Sequence, residues 1–327
     1  MRFLLPLMLL LGLNCFNRIV IAPLPFGASG DEELAEHVVY GKQYNGCVSK
    51  FGSHSKILVI PIHGVIGADG LLSRGGTDVP QIKRTLDMAA LDSEIKAIVL
   101  LIDSPGGTVT ASDQIYKLLE DHSNQFKRPI FAHVDGLGAS GAYYIAMASQ
   151  EINASPSALI GSIGVILQSF SVRGLLDKVG IEYRSIKTGK NKDMLSPFRD
   201  LRDDEKDFLQ KQLGQVYERF LAHITASRKA RLPEDRLRQL ADGAVYGADQ
   251  SRDSGLIDSV SYVEEYLPQV QKKLNLAEAS FVAYLPPGPE YNIYSMRGSA
   301  QRANALSLLE LPNRPTVQLY YLWDGGL

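Results

Sequence analysis

The chain has 327 residues, 45% hydrophobic and 21% charged, the composition of an ordinary folded protein. With 34 basic against 36 acidic residues, its net charge of −2 gives neither nucleic acid nor an anionic membrane a surface to seek by charge alone. The length suits one large domain with appendages or two modest ones, and no heptad run, repeat or low-complexity tract divides it.

The first stretch, MRFLLPLMLLLGLNCFNRIVIAPLPFG, opens with Arg2 and an apolar run at 3–13. That run has the length of a signal-peptide core and is short for a membrane span. Asn14, Asn17 and Arg18 interrupt its extension through Val20, Ile21 and Ala22. Residues 1–25 are therefore expected to export the chain or attach it to a membrane, whether cleaved or retained. Cys15 lies in this leader, but Gly12-Leu13-Asn14 before it fits a lipoprotein signal poorly. Cys47 is then alone, with no disulfide framework and no thiol motif around it. Residues 26–55 are polar and dotted with glycine, and read as a connecting segment.

From residue 56 the pattern sharpens. KILVIPIHGVIG (56–67) predicts a strand, VPQIKRTLDMAALDS (79–93) an amphipathic helix, and KAIVLLIDSPGG (96–107) a buried strand breaking into a turn. SDQIYKLLEDH (112–122) predicts a helix, PIFAHVDG (129–136) a strand and SGAYYIAMAS (140–149) a helix. GVILQS (164–169), VRGLLDKVG (172–180) and IEYRSIKTG (181–189) continue the alternation. Such alternation indicates an α/β domain with a mostly parallel sheet covered on both faces. Residues 202–240 change character: one long charged helix and a shorter one, with a narrow apolar stripe, suit a helical arm that packs on a neighbour. The tail, TVQLYYLWDGGL, reads as a short strand because Val317, Leu319 and Tyr321 alternate. A self-substrate lying in the groove stays open beside that reading.

In parallel sheets, sites form at the carboxyl ends of strands. IDSPGG puts Gly106 and Gly107 after one strand, and VDGLGASG puts Ser140 after another, at a helix N-terminus where unpaired N–H groups favour negative charge. Ser140 is a candidate nucleophile, with the N–H of Gly141 and one from Gly107 or Gly106 as its oxyanion hole. The bland alternative is a serine that caps the helix. His133 and Asp135, on one face of the preceding strand, imitate part of a Ser-His-Asp triad, but a histidine on the strand feeding the nucleophile would struggle to reach round to it. The other available base is a lysine: KTGKNKDMLSPF (187–198) holds Lys187, Lys190 and Lys192. Lysine titrates near 10.4 and must be desolvated to act as a base. Ser162, in GSIGV (161–165), is placed to hold a neutral amine; three loop lysines are otherwise an ordinary solvated surface.

In order and spacing, DSPGG, GLGASGAYYIA, GSIGV and TGKNKDMLSPF resemble the signal peptide peptidase A (protease IV) family of serine proteases, and VYGADQSRDSGLIDSV (245–260) looks like that family's segment beyond the helical arm. The resemblance covers residues 56–265 and implies an α/β fold similar to Clp protease and the crotonases, a spiral of β-β-α units with a helical arm. It sets off a leader (1–25), a connecting segment (26–55), a Ser/Lys protease domain (56–265, with the arm at 202–240) and a C-terminal helix and strand extension (266–327). It implies Ser140 as nucleophile, Lys192 as general base, Ser162 orienting the lysine, and Gly107 and Gly141 as oxyanion donors. Backbone at Gly106, Thr108, Ile163 and Gly164 would bind an extended peptide. No metal or cofactor is implied. The chain departs from the family at Asn191, where an aromatic usually precedes the lysine, which keeps Lys190 as a lesser candidate, and at Ala142, where glycine is commoner.

Short members of the family form dome-like rings in which neighbouring subunits supply the serine and the lysine, and this chain carries one motif set. The resemblance thus implies a homo-oligomer held through its N-terminus at the bacterial inner membrane, with its catalytic domain outside the cytoplasm. There it would cleave signal peptides already released, or other short membrane-derived peptides, without nucleic acid. Two rivals are a crotonase-like acyl-CoA enzyme, which shares the fold and would not need Ser140 or Lys192, and an inactive protease-fold membrane scaffold.

Overall fold

Both odd and even positions of the apolar runs are buried, but they belong to two cores. The computed structural model describes residues 34–41, 55–67, 76–287 and 291–297, and the backbone of 320–322. Leu58, Ile60, Ile98, Leu100, Ala132 and Val134 lie in one cluster; Ile57, Val59, Ala97, Val99, Leu101 and Phe131 lie in the other. This is the period of two of strands buried on both faces, and it explains why these strands read as unbroken hydrophobic runs.

The elements run β1 (Ala35–Tyr40), β2 (Ser55–Ile66), α1 (Val79–Leu91), β3 (Ile95–Thr108), α2 (Val109–Phe126), β4 (Ile130–Ala139), α3 (Gly141–Ala146), β5 (Glu151–Ala154) and β6 (Leu159–Gly161). They continue with α4 (Arg173–Val179), α5 (Asp203–Arg228), α6 (Glu234–Leu240), β7 (Val245–Gly247), α7 (Ala248–Ser254), β8 (Ser259–Val260), α8 (Val263–Lys273), β9 (Ala279–Leu285) and β10 (Tyr320–Leu322). The sheet order is β1-β9-β2-β3-β4-β5-β8, with β6 beside β4, β7 beside β6, and β10 beside β3. From β9 through β2, β3, β4 and β5 to β8 the pairing is parallel; β1, β7 and β10 add antiparallel. Buried residues of α1, α2 and α3 fill one face, and Val263, Tyr266, Leu267 and Val270 of α8 fill the other.

Local chemistry sets the helix ends. Asp78 caps α1 by accepting from the Gln81 N–H at 2.6 Å, and Pro80 stands in the first turn, where its missing N–H costs nothing. At its other end, Arg128 closes α1: its guanidinium donates to Ala89 O at 2.6 Å and to Asp92 O at 2.7 Å, satisfying late carbonyls of the helix. His122 lies 3.3 Å from the same guanidinium.

The sequence reading needs three corrections. The alternation predicted strands at 164–169 and 181–189; the first holds an isolated bridge at residue 166 and the second has no strand. The connecting segment at 26–55 contains β1, and β9, read as part of an extension, pairs with β2 inside the main sheet. β1 and β9 therefore belong to the main sheet. The leader at 1–25, with Cys15, and Cys47 lie outside the described residues; no helix among those described is long and apolar enough to cross a membrane.

Burial, reinforced by the charge of Arg128, lowers the pKa of His122 from 6.5 to about 4, with Asp87 opposing. The unfolded chain therefore takes up this proton first as pH falls, so the contribution to stability is whole above about 6.5 and is lost down to about 4. Urea midpoints measured from pH 7 to pH 4.5 should fall, and less steeply in His122→Gln; parallel curves for the two proteins would remove His122 as a cause.

Candidate active site

Three strand ends meet at one level. Gly138 of β4 pairs with Ser104 of β3 on one side and with Ile160 of β6 on the other. Two residues beyond these on each strand stand Ser140, Gly106 and Ser162. All three strands are parallel, so the level is the carboxyl-end rim where α/β sheets form sites.

Ser140 ends β4 and begins α3. Its backbone sits at φ 55° and ψ −116°, a conformation that costs a non-glycine residue about 1–3 kcal/mol. It occupies the N-cap position, yet its side chain makes no capping hydrogen bond. Backbone bonds hold the turn instead: the Ser140 N–H donates to Gly161 O at 2.7 Å, and Ser140 O accepts from the Tyr144 N–H at 2.9 Å. Every residue of α3 is buried, so the helix has no room to swing outward and relax the turn. A serine present only to cap would need neither the strain nor the uncommitted hydroxyl. The Gly141 N–H, first of the helix, has no partner within it and faces the end where the dipole favours an anion.

The glycine pair resolves into different roles. The Gly106 N–H donates to Ser104 Oγ at 3.1 Å, and Ser104 Oγ donates in turn to Gly64 O at 2.6 Å. Gly106 is thus committed, which leaves Gly107 as the oxyanion candidate on β3. Gly107 also has a packing reason to be glycine, since a Cβ there would lie 2.0 Å from Ile66 O. Thr108 uses its side chain to cap α2, accepting from the Ala111 N–H at 3.3 Å, and Ile163 is fully buried. Thr108, Ile163 and Gly164 therefore have backbone, not side chains, to offer a peptide. Ser162, like Ser140, has a positive φ, of 48°, and its N–H donates to Ala244 O at 2.6 Å.

Lys192 is exposed, in a turn closed by its N–H on Gly189 O at 3.1 Å. Arg199 pins this loop to the start of α5, donating to Asp193 O at 3.0 Å, Asp193 Oδ1 at 2.7 Å and Glu205 Oε1 at 2.6 Å. Arg199 and then Lys187 hold the Asp193 carboxyl well below its ordinary range. Lys187 is paired with Asp193 at 2.6 Å and Lys190 with Asp204 at 3.0 Å, whereas Lys192 has no ion pair among the described residues. Nor does any hydrogen bond among them join Lys192 to Ser140 or Ser162 within the one chain. His133 is removed from contention: it is fully buried, with Nδ1 2.7 Å from Asn153 Oδ1 and Nε2 3.2 Å from Ser155 Oγ.

Sequence reasoning left the place of the tail open. Its backbone pairs antiparallel with β3: Tyr320 with Thr108, Tyr321 with Gly107 and Leu322 with Gly106. The other edge of β3 there is held by Val65 and Ile66 of β2. The tail therefore lies on the edge that β4 vacates when it turns into α3 at Ser140. Arg199 and Glu205, which fix the lysine loop, were also missed; a carboxylate in the first turn of a charged helix carries no signal of burial.

The model of peptidase family S49 matches residues 122–277. Over 216 residues the chain is 32% identical to the putative protease MJ0651 of Methanocaldococcus jannaschii, an alignment covering 66% of this chain and 68% of that one. Over 235 residues it is 31% identical to the putative signal peptide peptidase SppA of Enterococcus faecium, covering 71% and 67%. Among solved structures, a lysine-to-alanine mutant of the 1510-N membrane-bound stomatin-specific protease in complex with a substrate peptide aligns at a TM-score of 0.46 and 18% identity, over 72% of this chain and 95% of that one. The protein is a serine-type peptidase built on a mixed α/β sheet. It belongs to peptidase family S49, the family of signal peptide peptidase A. That membership displaces the acyl-CoA reading.

Glycine adopts the Ser140 conformation freely and alanine does not. Ser140→Gly should therefore be more stable than Ser140→Ala by about 1 kcal/mol, read as a higher urea midpoint. Equal midpoints would mean that the turn carries no strain.

Proposed function

We propose that the chain is an endopeptidase working through a Ser/Lys dyad, with Ser140 as nucleophile and Lys192 of a neighbouring copy as general base. The observation that carries this is Ser140 itself: a strained, buried serine at a helix N-terminus whose hydroxyl does no capping. The neutral lysine takes the Ser140 Oγ proton as the oxygen attacks a peptide carbonyl, and the oxyanion forms against the N–H groups of Gly141 and Gly107. The lysine then protonates the leaving amine. Water activated by the same lysine releases the acyl group. Ser162 orients the lysine.

The sharing between copies is supported by the segment from 170 to 199 that bears Lys192. Phe170, Leu175, Val179, Ile181 and Ile186 are all more than half exposed, and α4 buries none of its residues. An apolar surface of this kind marks an interface. A neighbour that covers it would also exclude water from Lys192, which a lysine base requires.

Substrate is proposed to bind as a strand on the β3 edge at 106–108, the mode for which the pairing with β10 speaks. Apolar peptides left in or near the membrane, cleaved signal peptides among them, fit such an edge. The proposed location is the outer side of the bacterial inner membrane, reached through the N-terminal segment.

Peptide hydrolysis by Ser140→Ala and by Lys192→Ala should each fall by about 10³-fold or more. The two variants co-expressed in one assembly should regain activity, because some neighbours then pair an intact serine with an intact lysine. A mixture as inert as its parts places the dyad within one chain, and an active Lys192→Ala moves the base elsewhere, to Lys190 first. A chain ending at residue 317 should also cleave an added peptide several-fold faster than the full chain, at limiting peptide. If the two are equal, β10 does not compete for the edge that substrate uses.

A further inference from the structure

We infer that Asp103 is a positioning residue for the nucleophile, acting through the loop that delivers Ser140; this rests on the reading of Ser140 above. β3 and β4 run in register from the Ile98–Ile130 pair to the Ile102–Val134 pair, and meet again at Ser104 and Gly138. Between these points β3 advances two residues and β4 four, so Asp135, Gly136 and Leu137 stand against the single residue Asp103. A ladder interrupted in this way leaves backbone groups without their regular partners.

The Asp103 side chain fills the gap. Its Oδ1 accepts from the Leu137 N–H at 3.0 Å, a charge-assisted bond in the place of a ladder bond. Gly136 lies directly against the carboxylate: a Cβ there would come within 2.8 Å of Oδ1. Gly138 is folded back on Val134, where a Cβ would meet Cγ2 at 2.8 Å. Both glycines are thus shaped by the bulge, and the small residues before Ser140 are explained without any contact to substrate.

Three residues past the tether comes Ser140 with its strained backbone. Along the segment from Asp135 to Ala139, β3 offers two holds, the Asp103 carboxylate and the Ser104–Gly138 pair, while β6 holds the residues from Leu137 on. Releasing the first frees Asp135 and Gly136, leaves Leu137 held by β6 alone, and lowers the population of the attacking geometry. An error of an ångström at a nucleophile lowers the rate by about 10²-fold.

The test compares Asp103→Ala, Asp103→Asn and Gly136→Ala in the full chain, by steady-state peptide cleavage and by amide hydrogen exchange of the 134–141 segment. Asp103→Ala is expected to lower kcat by about 10- to 100-fold with KM unchanged, and to speed exchange at 134–141 but not at 98–102. Asp103→Asn, which keeps an acceptor at Oδ1, should restore both readings. Gly136→Ala, which pushes the carboxylate away, should resemble Asp103→Ala, and the double variant should be no worse than either single one. The inference is overturned if exchange at 134–141 rises in Asp103→Ala while kcat holds, if exchange does not change, or if Asp103→Asn fails with Asp103→Ala. A Ser140→Ala chain as active as the unmodified one would overturn the reading of Ser140 instead, and the exchange data would still decide whether Asp103 holds the loop.

Discussion

The site depends on one backbone conformation, the positive φ of Ser140 at the point where a central strand becomes a helix. A turn of that kind is unfavourable for any residue with a Cβ, by about 1–3 kcal/mol. It persists because its surroundings leave nothing else to adopt. Ahead of it, β4 is clamped between β3 and β6; after it, α3 is buried along its whole length, with the Tyr143 hydroxyl anchored on Leu256 O at 2.7 Å and the Tyr144 hydroxyl on Asp113 at 2.6 Å. Strain is thus maintained by packing, and its product is a hydroxyl that the helix does not use.

The same turn makes the groove. A strand that bends away leaves its neighbour with an unpaired edge, and an unpaired edge binds other strands. Here the edge is β3 from Gly106 to Thr108, and β10 occupies it. The proposed nucleophile and the edge proposed to receive a peptide therefore arise from one event, the departure of β4 from the sheet. This also accounts for Ser104: with the Gly106 N–H drawn to its hydroxyl, β3 is steered across the bulge so that Gly107 comes against β2.

The central strands and helices were legible because both faces of the sheet are covered, so that apolar runs and amphipathic helices each carry a strong periodic signal. The flanks were not. Among the described residues β1 pairs only with β9, and it sits in a polar stretch, while β9 reaches the sheet from far along the chain; neither fact has a local signature. The failure at 164–169 and 181–189 is more instructive. Both segments were read as continuing the succession of strands and helices, yet Ile181, Tyr183 and Ile186 are exposed and pair with no strand. At the site, Ser140 was read after a strand and before a helix, where it stands, whereas Ser162 was read as leading into a strand and instead follows β6; the motifs could not separate Gly106 from Gly107 or see that Asp103 spans a bulge, because both depend on register between strands.

The two halves of the proposed chemistry differ in how they are built. The serine half is overdetermined: strand pairs, a bulge, two serines at positive φ and a buried helix all converge on it. The lysine half is tied to the start of α5, through Arg199 with Asp193 and Glu205 and through Arg202 with the loop at Lys190 and Asn191, and presents its apolar side chains to solvent. A base that must be dry cannot work from an exposed loop, and neighbouring Lys187 and Lys190 are already neutralised by carboxylates. If the covering surface comes from another copy, the peptidase is complete only when assembled, and a single chain released from its neighbours has a nucleophile without a base. For an enzyme whose edge would accept many extended peptides, that division is itself a safeguard against cleavage in the wrong place.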